Sequence, residues 1–102
     1  HVLAKIIKEY EHQPWQKAVG IPTGGWALGN ALDKYSTGNP NDPILIADDV
    51  YTTGTSFKEF VQASYSDVAT IQWCVFARQP TIGKVKALFT MPDKGRHGSI
   101  WE

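Results

Sequence analysis

One continuous stretch, ILIADDVYTTGTSF at residues 44–57, limits the possible folds of this chain more than any other part of it. Its first four residues predict a buried strand that ends at two carboxylates, Asp48 and Asp49. A turn rich in hydroxyl groups follows, and we predict that a helix begins near Ser56, because Ser56 and Glu59 have capping-box spacing. A strand, a loop and a helix N-terminus are the parts from which α/β proteins build phosphate-binding sites.

The turn at residues 52–56 has the chemistry of an anion-binding loop. Gly54 permits a tight turn in which successive backbone N–H groups point at one anion, and the positive end of the helix adds to their field. No lysine follows the glycine, so this is not a P-loop. Two acids beside a phosphate site would repel a bare phosphate, so they indicate a ligand that also carries hydroxyl groups or a divalent cation. A phosphorylated sugar with a magnesium-bound pyrophosphate meets all these requirements.

The same stretch resembles the 5-phosphoribosyl-1-pyrophosphate (PRPP) signature of type I phosphoribosyltransferases, in which an apolar strand, two acids and two loose positions precede T-G-x-[ST]. The resemblance implies that Asp48 and Asp49 face the ribose hydroxyl groups and that both act in catalysis with Thr52. It implies that the 5-phosphate is bound by Thr52, Thr53, Gly54, Thr55 and Ser56. The alternative is an ordinary strand, turn and helix with two surface aspartates.

The resemblance also implies Mg²⁺ as the cofactor. The ion would arrive on the pyrophosphate of PRPP, with Asp48 and Asp49 as candidate ligands. We expect no metal site built by the protein alone, because His1, His12 and His97 have no metal-ligand spacing.

A second loop, Ile21-Pro22-Thr23-Gly24-Gly25, follows a short apolar run at residues 17–21. If both strands are parallel, the two loops lie side by side at their carboxyl ends, where α/β proteins bind ligands. The loop resembles the family's pyrophosphate loop, which implies that Thr23, Gly24 and Gly25 hold the pyrophosphate. Many family members carry Arg or Lys where this chain has Thr23, so one charge–charge contact is absent. Taken alone, the two glycines would indicate only the entry to a helix.

The segment that ends in FARQP at residues 76–80 resembles the strand before the base pocket of purine-type members. The resemblance implies a base contact from Arg78, although a solvated charge at a strand end is an equal alternative. Ala77 stands where those enzymes have Lys, and Thr52 stands where they have Asp, so a 6-oxopurine is disfavoured. Trp101 resembles the tail aromatics that stack on the base in several members; the alternative is packing on the surface of its own domain.

The largest departure from the family lies between the second helix and the PRPP strand. Most members carry there an extra strand and a long flexible loop that closes over the reactants, whereas this chain has only residues 36–43 and their neighbours. We therefore expect a short form that lacks the usual lid. Residues 93–102 are the one segment that we expect to replace the lid, and the isolated protein is expected to be slow or to need a partner.

Seven elements are predicted along the chain. Helices are expected near residues 2–10, 26–35 and 56–65, and strands at 17–21, 44–47, 69–77 and 85–91. Their alternation predicts an α/β fold with a small parallel sheet of about four strands and flanking helices. The resemblance implies that this is the type I phosphoribosyltransferase fold. If consecutive strands are neighbours, right-handed crossovers place the second and third helices on one face. The other face would then be under-covered, so we expect a homodimer.

Composition narrows the remaining possibilities. A chain of 102 residues fits one domain, with a core at residues 1–92 and a tail or hood at 93–102. A formal net charge of zero argues against a nucleic-acid or anionic-membrane partner. The single cysteine, Cys74, lies in an apolar run, which predicts a buried and inert thiol. The chain has neither an apolar run of transmembrane length nor a signal peptide, so a cytoplasmic protein is expected.

The resemblance implies an enzyme that transfers the 5-phosphoribosyl group from PRPP to a nitrogenous base, in nucleotide synthesis or salvage, and releases pyrophosphate. The first alternative is a non-catalytic PRPP- or nucleotide-binding regulatory module on the same fold. The second is an unrelated phosphosugar binder, since a fold does not fix a function. The acceptor base is not identified by the sequence.

Overall fold

The computed structural model describes residues 1–91, so Trp101 and the predicted tail at 93–102 lie outside the described residues. The elements in this part are α1 (Val2–Tyr10), β1 (Lys17–Gly20), α2 (Trp26–Asp33), β2 (Ile44–Tyr51), α3 (Thr55–Ser64), β3 (Thr70–Ala77) and β4 (Val85–Thr90). The strands form one parallel sheet in the order β1-β2-β3-β4. This confirms the predicted α/β fold and its neighbouring consecutive strands. None of the helices between residues 1 and 91 is long and apolar enough to cross a membrane.

One face of the sheet, which we call the helix-pair face, is covered by α1 and α2. Alternate residues of a strand point to the same side of a sheet, so Leu45 and Ala47 of β2 face the same way as their β3 partners Ile71 and Trp73. These side chains form a buried cluster with residues of both helices and of the segment after α1, namely Ala4, Ile7, Trp15, Leu28 and Leu32. This cluster contains two buried tryptophans, Trp15 and Trp73, which bury more apolar surface than any other side-chain type.

The opposite face, which we call the α3 face, is covered by α3. Ile44 and Ile46 of β2 and Cys74 of β3 pack there in a second buried cluster. Phe57 is the buried residue of α3, whereas Phe60 and Val61 are only partly buried against the same cluster. These apolar side chains lie on one side of the helix, and α3 is held by a narrower contact than α2.

The expectation that α2 and α3 lie on one face is wrong. α2 packs on the side of Leu45 and Ala47, and α3 packs on the side of Ile44 and Ile46. Both crossovers move in the same direction across the sheet, so helices on opposite faces give them opposite hands, and one departs from the usual right-handed rule. The physical reason is that α2 is already paired with α1 on the helix-pair face. The helix placement from which we predicted a homodimer is therefore wrong. The α3 face is still less covered than the helix-pair face.

Two predicted boundaries around the acidic pair are also wrong. β2 does not end at Ala47 but continues to Tyr51, because Asp48 and Val50 stay in register with β3. α3 begins at Thr55, after Gly54 as its N-cap, and no side chain caps it. The predicted capping box therefore does not form, and Ser56 lies inside the first helical turn.

The sequence analysis missed a buried carboxylate, Glu11, which joins the end of α1 to strands β3 and β4. One of its oxygens, Oε1, accepts hydrogen bonds from Trp73 Nε1 at 2.9 Å and from Lys86 Nζ at 2.6 Å. The other, Oε2, accepts the N–H of Gln13 at 3.1 Å. Burial alone would raise the pKa of Glu11, but the bonds from Lys86 and Trp73 outweigh it and hold the pKa below its usual value of 4.5.

Glu11→Ala is expected to lower the free energy of unfolding by about 3 kcal/mol, because it leaves the indole N–H of Trp73 unpaired in the core. The exposed neighbour Glu9 supplies the control, and Glu9→Ala should change stability by less than about 0.5 kcal/mol. Since the folded-state pKa of Glu11 is lowered, its stabilisation is present above pH 4.5 and is lost as the pH falls below that value. Urea unfolding at pH 7 and pH 3 measures both effects, and equal losses for the two variants would contradict the assignment.

Candidate functional site

The carboxyl ends of β1 and β2 form a crevice between two loops. The chain leaves β1 towards the helix-pair face and leaves β2 towards the α3 face, so the two loops diverge from neighbouring strands. Such a point, where adjacent strands lead to helices on opposite faces, is where open α/β sheets bind their ligands. The unexpected placement of α2 and α3 therefore creates this crevice, which crossovers on a single face would not have done.

The loop after β1 is a tight turn at residues 21–25. The N–H of Ile21 donates to the carbonyl of Ala47 at 2.8 Å, which extends the strand pairing by one residue, and the N–H of Gly25 donates to the carbonyl of Ile21 at 2.9 Å. The Pro22–Thr23 peptide bond is cis. Among residues 1–91, no hydrogen bond engages the N–H groups of Thr23 and Gly24. These two groups, rather than that of Gly25, are the donors that the loop offers to a ligand.

Asp49 lies directly against this loop. A Cβ atom added to Gly24 would come within 2.8 Å of both carboxylate oxygens of Asp49, so any larger residue here would displace this carboxylate. The side chain of Asp49 is exposed, and its Oδ1 accepts the N–H of Val50 at 2.8 Å. The structure thus brings together one of the predicted ribose-facing acids and the predicted pyrophosphate loop.

Asp48 points to the other side of β2 and is 9% exposed. Its strand partner is Cys74 of β3, and its Oδ1 accepts the N–H of Asp49 at 2.8 Å. Burial, and after it the neighbouring carboxylate of Asp49, together raise the pKa of Asp48 to about 6, against the lowering effect of the backbone bond. Burial, with the charge of Asp48, also raises the pKa of Cys74 to about 12, which confirms the predicted buried thiol.

Because the folded-state pKa of Asp48 lies above its usual value of 3.8, this residue costs stability at neutral pH. The folded protein holds the proton more tightly than the unfolded chain, so wild-type stability falls as the pH rises from about 4 to about 6. We expect Asp48→Asn to be more stable than the wild type by about 2 kcal/mol at pH 7.5 and equally stable at pH 4. Thermal unfolding across this range measures the difference, with the exposed Asp67→Asn as control. A difference that does not vary with pH would contradict the assignment.

The loop after β2 is built around Gly54, whose φ of 86° lies in the left-handed region that favours glycine. The hydroxyl groups of Thr53 and Thr55 lie 2.9 Å apart, and the N–H of Thr55 donates to Thr53 Oγ1 at 3.4 Å. Thr52 and Ser56 are also exposed, so the loop carries four accessible hydroxyl groups beside the N-terminus of α3. This geometry suits an anion with several oxygen atoms.

Tyr51 supports this loop from below and was missed by the sequence analysis. Its side chain is 2% exposed, and a Cβ atom added to Gly54 would lie 2.7 Å from its hydroxyl oxygen. The same oxygen accepts the N–H of Ile82 at 3.1 Å, and the ring packs against Phe57 with centroids 6.2 Å apart. The sequence analysis ended this strand at Ala47, so it placed Tyr51 in the loop and did not predict a buried side chain there.

Arg78, the predicted base contact within the described residues, is not in the crevice. It is exposed at the carboxyl edge of the sheet, on the β3 side of β2. Its backbone N–H donates to the carbonyl of Tyr51 at 2.8 Å. Trp101 lies outside the described residues. Within residues 1–91, no three His, Cys, Asp or Glu side chains gather as a metal site.

No protein-family profile matches the sequence, and no curated protein matches it. One solved structure with a similar fold is that of Helicobacter pylori xanthine-guanine-hypoxanthine phosphoribosyltransferase, with a TM-score of 0.58. The two chains are 18% identical, and the match covers 87% of this chain and 76% of that one. At this identity the similarity shows the fold alone, and that fold is the phosphoribosyltransferase type.

Proposed function

We propose that this chain is a phosphoribosyltransferase, which transfers the 5-phosphoribosyl group from PRPP to a nitrogenous base and releases pyrophosphate. The observation that carries the proposal is the contact between the carboxylate of Asp49 and Gly24. It joins the acidic end of β2 to the loop after β1, while the hydroxyl-rich loop at residues 52–56 closes the other side of the crevice. The similarity in fold supports the same reaction class.

Each part of PRPP has a chemically matched group in this arrangement. The 5-phosphate would accept hydrogen bonds from the loop at residues 52–56, and the pyrophosphate from the N–H groups of Thr23 and Gly24. The ribose hydroxyl groups would donate to Asp48 and Asp49. The N–H of Gly25 is used inside the turn, so its part in the proposal is to shape the loop rather than to bind oxygen.

A magnesium ion fits the same residues. The exposed carboxylate of Asp49 lies beside the proposed pyrophosphate loop, and carboxylate and phosphate oxygens are the ligands that Mg²⁺ prefers. We propose that Asp49, together with Asp48, would hold the ion. When bound, Mg²⁺ supplies positive charge to the departing pyrophosphate, a task for which Thr23 offers no cation.

Catalysis would depend on holding both ends of PRPP while the anomeric carbon becomes cationic. The two loops would fix the phosphate and the pyrophosphate, and the acids would stabilise the positive charge between them. Thr52 follows the acids on the same strand end, so we propose that its hydroxyl contacts the ribose. Arg78 and Trp101 remain the proposed base contacts.

Isothermal calorimetry with PRPP and Mg²⁺, followed by a pyrophosphate-release assay with a panel of bases, tests the proposal. We expect saturable binding and release with at least one base. Gly24→Ala should weaken PRPP binding about tenfold, because the added methyl group displaces the Asp49 carboxylate. Exposed Ser64, at the end of α3, provides the control substitution Ser64→Ala, which should change nothing. Release by none of the bases would remove the enzymatic function.

A regulatory module that binds PRPP without turnover is the second candidate, and one observation favours it. The connection from α2 to β2 is fixed at the amino edge of the sheet, away from the crevice. The N–H of Thr37 donates to the carbonyl of Trp15 at 2.8 Å, and that of Gly38 to the carbonyl of Gln16 at 3.0 Å. This connection cannot shield the crevice from water, which transfer to a base requires. Binding without pyrophosphate release would establish the module.

Three further expectations accompany the proposal. We propose a homodimer, now argued from the less covered α3 face instead of from shared helix placement. A cytoplasmic location and a covering role for residues 93–102 stay predictions. Equilibrium sedimentation at micromolar concentration decides the first of these.

A further inference from the structure

A cavity of about 520 Å³ lies outside the crevice. It opens on the α3 face, beside the loop at residues 52–56. The side chains that line it come mainly from α3, from the sheet beneath and from the connection after β3, namely Phe57, Lys58, Val61, Gln62, Gln72, Ile82 and Val85. A cavity of this size matches those that hold small ligands.

The lining of the cavity differs from the residues of the crevice, except at one shared loop. The acids and the loop after β1 are not in the lining, whereas Thr53, Gly54 and Thr55 are, together with Tyr51 beneath them. A molecule in the cavity would therefore contact the same loop that we propose to bind the 5-phosphate. The proposed PRPP site does not account for this space.

The lining specifies the chemistry of an occupant. Its floor and walls are apolar and partly aromatic, with Tyr51, Phe57 and Val85 buried. Lys58 carries the one formal charge among the described lining residues, and Gln62 and Gln72 add amide groups. A cation at the rim of an apolar space complements a ligand with a flat apolar body and one anionic group.

Tyr51 connects the cavity to the phosphate loop. Its ring forms part of the cavity wall, and its hydroxyl oxygen lies under Gly54 while it accepts the N–H of Ile82. Any displacement of this ring would move the support of a glycine whose φ of 86° defines the turn. The contact gives a physical route from the cavity to the loop.

We propose that this cavity is a second binding site, which takes a small aromatic or aliphatic anion, and that its occupant changes the affinity of the phosphate loop through Tyr51. The first half stands apart from the proposed function, because it needs only the cavity and Lys58. The second half rests on the proposed function, because its readout is PRPP binding.

The probe for the first half is 8-anilinonaphthalene-1-sulfonate, which has a flat apolar body and one sulfonate. We expect one saturable site per chain by fluorescence titration at pH 7, with circular dichroism confirming that each variant is folded. Lys58→Gln should weaken binding about tenfold, since it removes a charge-assisted contact. Gln62→Trp should weaken it similarly by filling the cavity. The matched controls are Lys5→Gln, at an exposed position of α1, and Ala63→Trp, on α3 but outside the lining.

Two results would overturn the binding site. The first is equal affinity in the Lys58 and Lys5 variants. The second is stoichiometric displacement of the probe by PRPP, which would place the probe in the crevice.

The coupling has a separate readout. Saturating probe should change the dissociation constant for PRPP about fivefold in the wild type and leave it unchanged in Tyr51→Phe, which lacks the hydroxyl group. An unchanged constant in the wild type would remove the coupling while leaving the second site. If PRPP does not bind at all, the proposed function fails, and the probe titration still decides the site.

Discussion

Asp48→Asn combined with Asp49→Asn is expected to weaken PRPP binding in the presence of Mg²⁺ by about 1,000-fold, with the affinity for inorganic phosphate changed less than about threefold. The reason is that the ribose hydroxyl groups would donate to both carboxylates, and each charge-assisted hydrogen bond is worth about 1.5–3 kcal/mol. The loop at residues 52–56, which would hold phosphate, keeps its structure in this variant. Calorimetry with the two ligands separates the two effects.

The control for this double variant is Asp67→Asn, which removes an exposed carboxylate after α3. It should bind both ligands as the wild type does. Equal losses of PRPP and phosphate affinity in the double variant, with an unchanged circular dichroism spectrum, would show that the acids do not serve the ribose. The single variants add a further distinction, since exposed Asp49 contacts the loop after β1 and buried Asp48 does not.

Gly29→Ala is expected to lower the free energy of unfolding by about 4 kcal/mol, although the same change in an exposed helix would raise it by about 1 kcal/mol. A Cβ atom at this position of α2 would overlap the backbone nitrogen of Gly20 and come within 2.7 Å of its Cα. Backbone atoms in a strand cannot move aside as a flexible side chain can, so α2 would have to leave β1. The same shift would carry the loop at residues 21–25 away from Asp49 and weaken PRPP binding.

Asn30→Ala is the matched control, because Asn30 is the exposed next residue in the same helix. Alanine has a higher helix propensity than asparagine, so the free energy of unfolding of Asn30→Ala should rise by about 0.5 kcal/mol. Thermal unfolding of both variants measures the contrast, and a drop of about 15 °C is expected for Gly29→Ala. A stabilised Gly29→Ala protein would mean that α2 does not pack so closely on β1.

Most of the elements could be predicted because each has a local pattern of its own. The apolar runs of the strands depend only on neighbours in sequence. So does the helical spacing of apolar residues around the buried Ile7 in α1, Leu32 in α2 and Phe57 in α3. The boundaries near the acids failed because they depend on other strands. β2 reaches Tyr51 since β3 offers a hydrogen-bonding partner that far, and α3 starts early since Gly54 adopts a positive φ.

The candidate site could be predicted as a set of residues but not as an arrangement. The motif indicated Asp48, Asp49 and the loop that follows, and the structure places them at one carboxyl edge beside Gly24. It did not indicate that the acids point to opposite sides of β2, or that Tyr51 lies beneath Gly54. Residues that support a site by packing carry no pattern of their own, because their contacts come from segments distant in sequence.

The sequence by itself determined the class of fold, the order of its elements and the chemical character of both loops, because periodicity, turn residues and side-chain type are local properties. Only the tertiary structure decided which face each helix covers, since that choice depends on how α2 packs with α1 and on the glycines at its contact with β1. That choice opens the crevice between β1 and β2, and it leaves the α3 face with room for a cavity. Burial likewise decided the pKa of Asp48, because desolvation is a property of the surrounding protein and not of the residue.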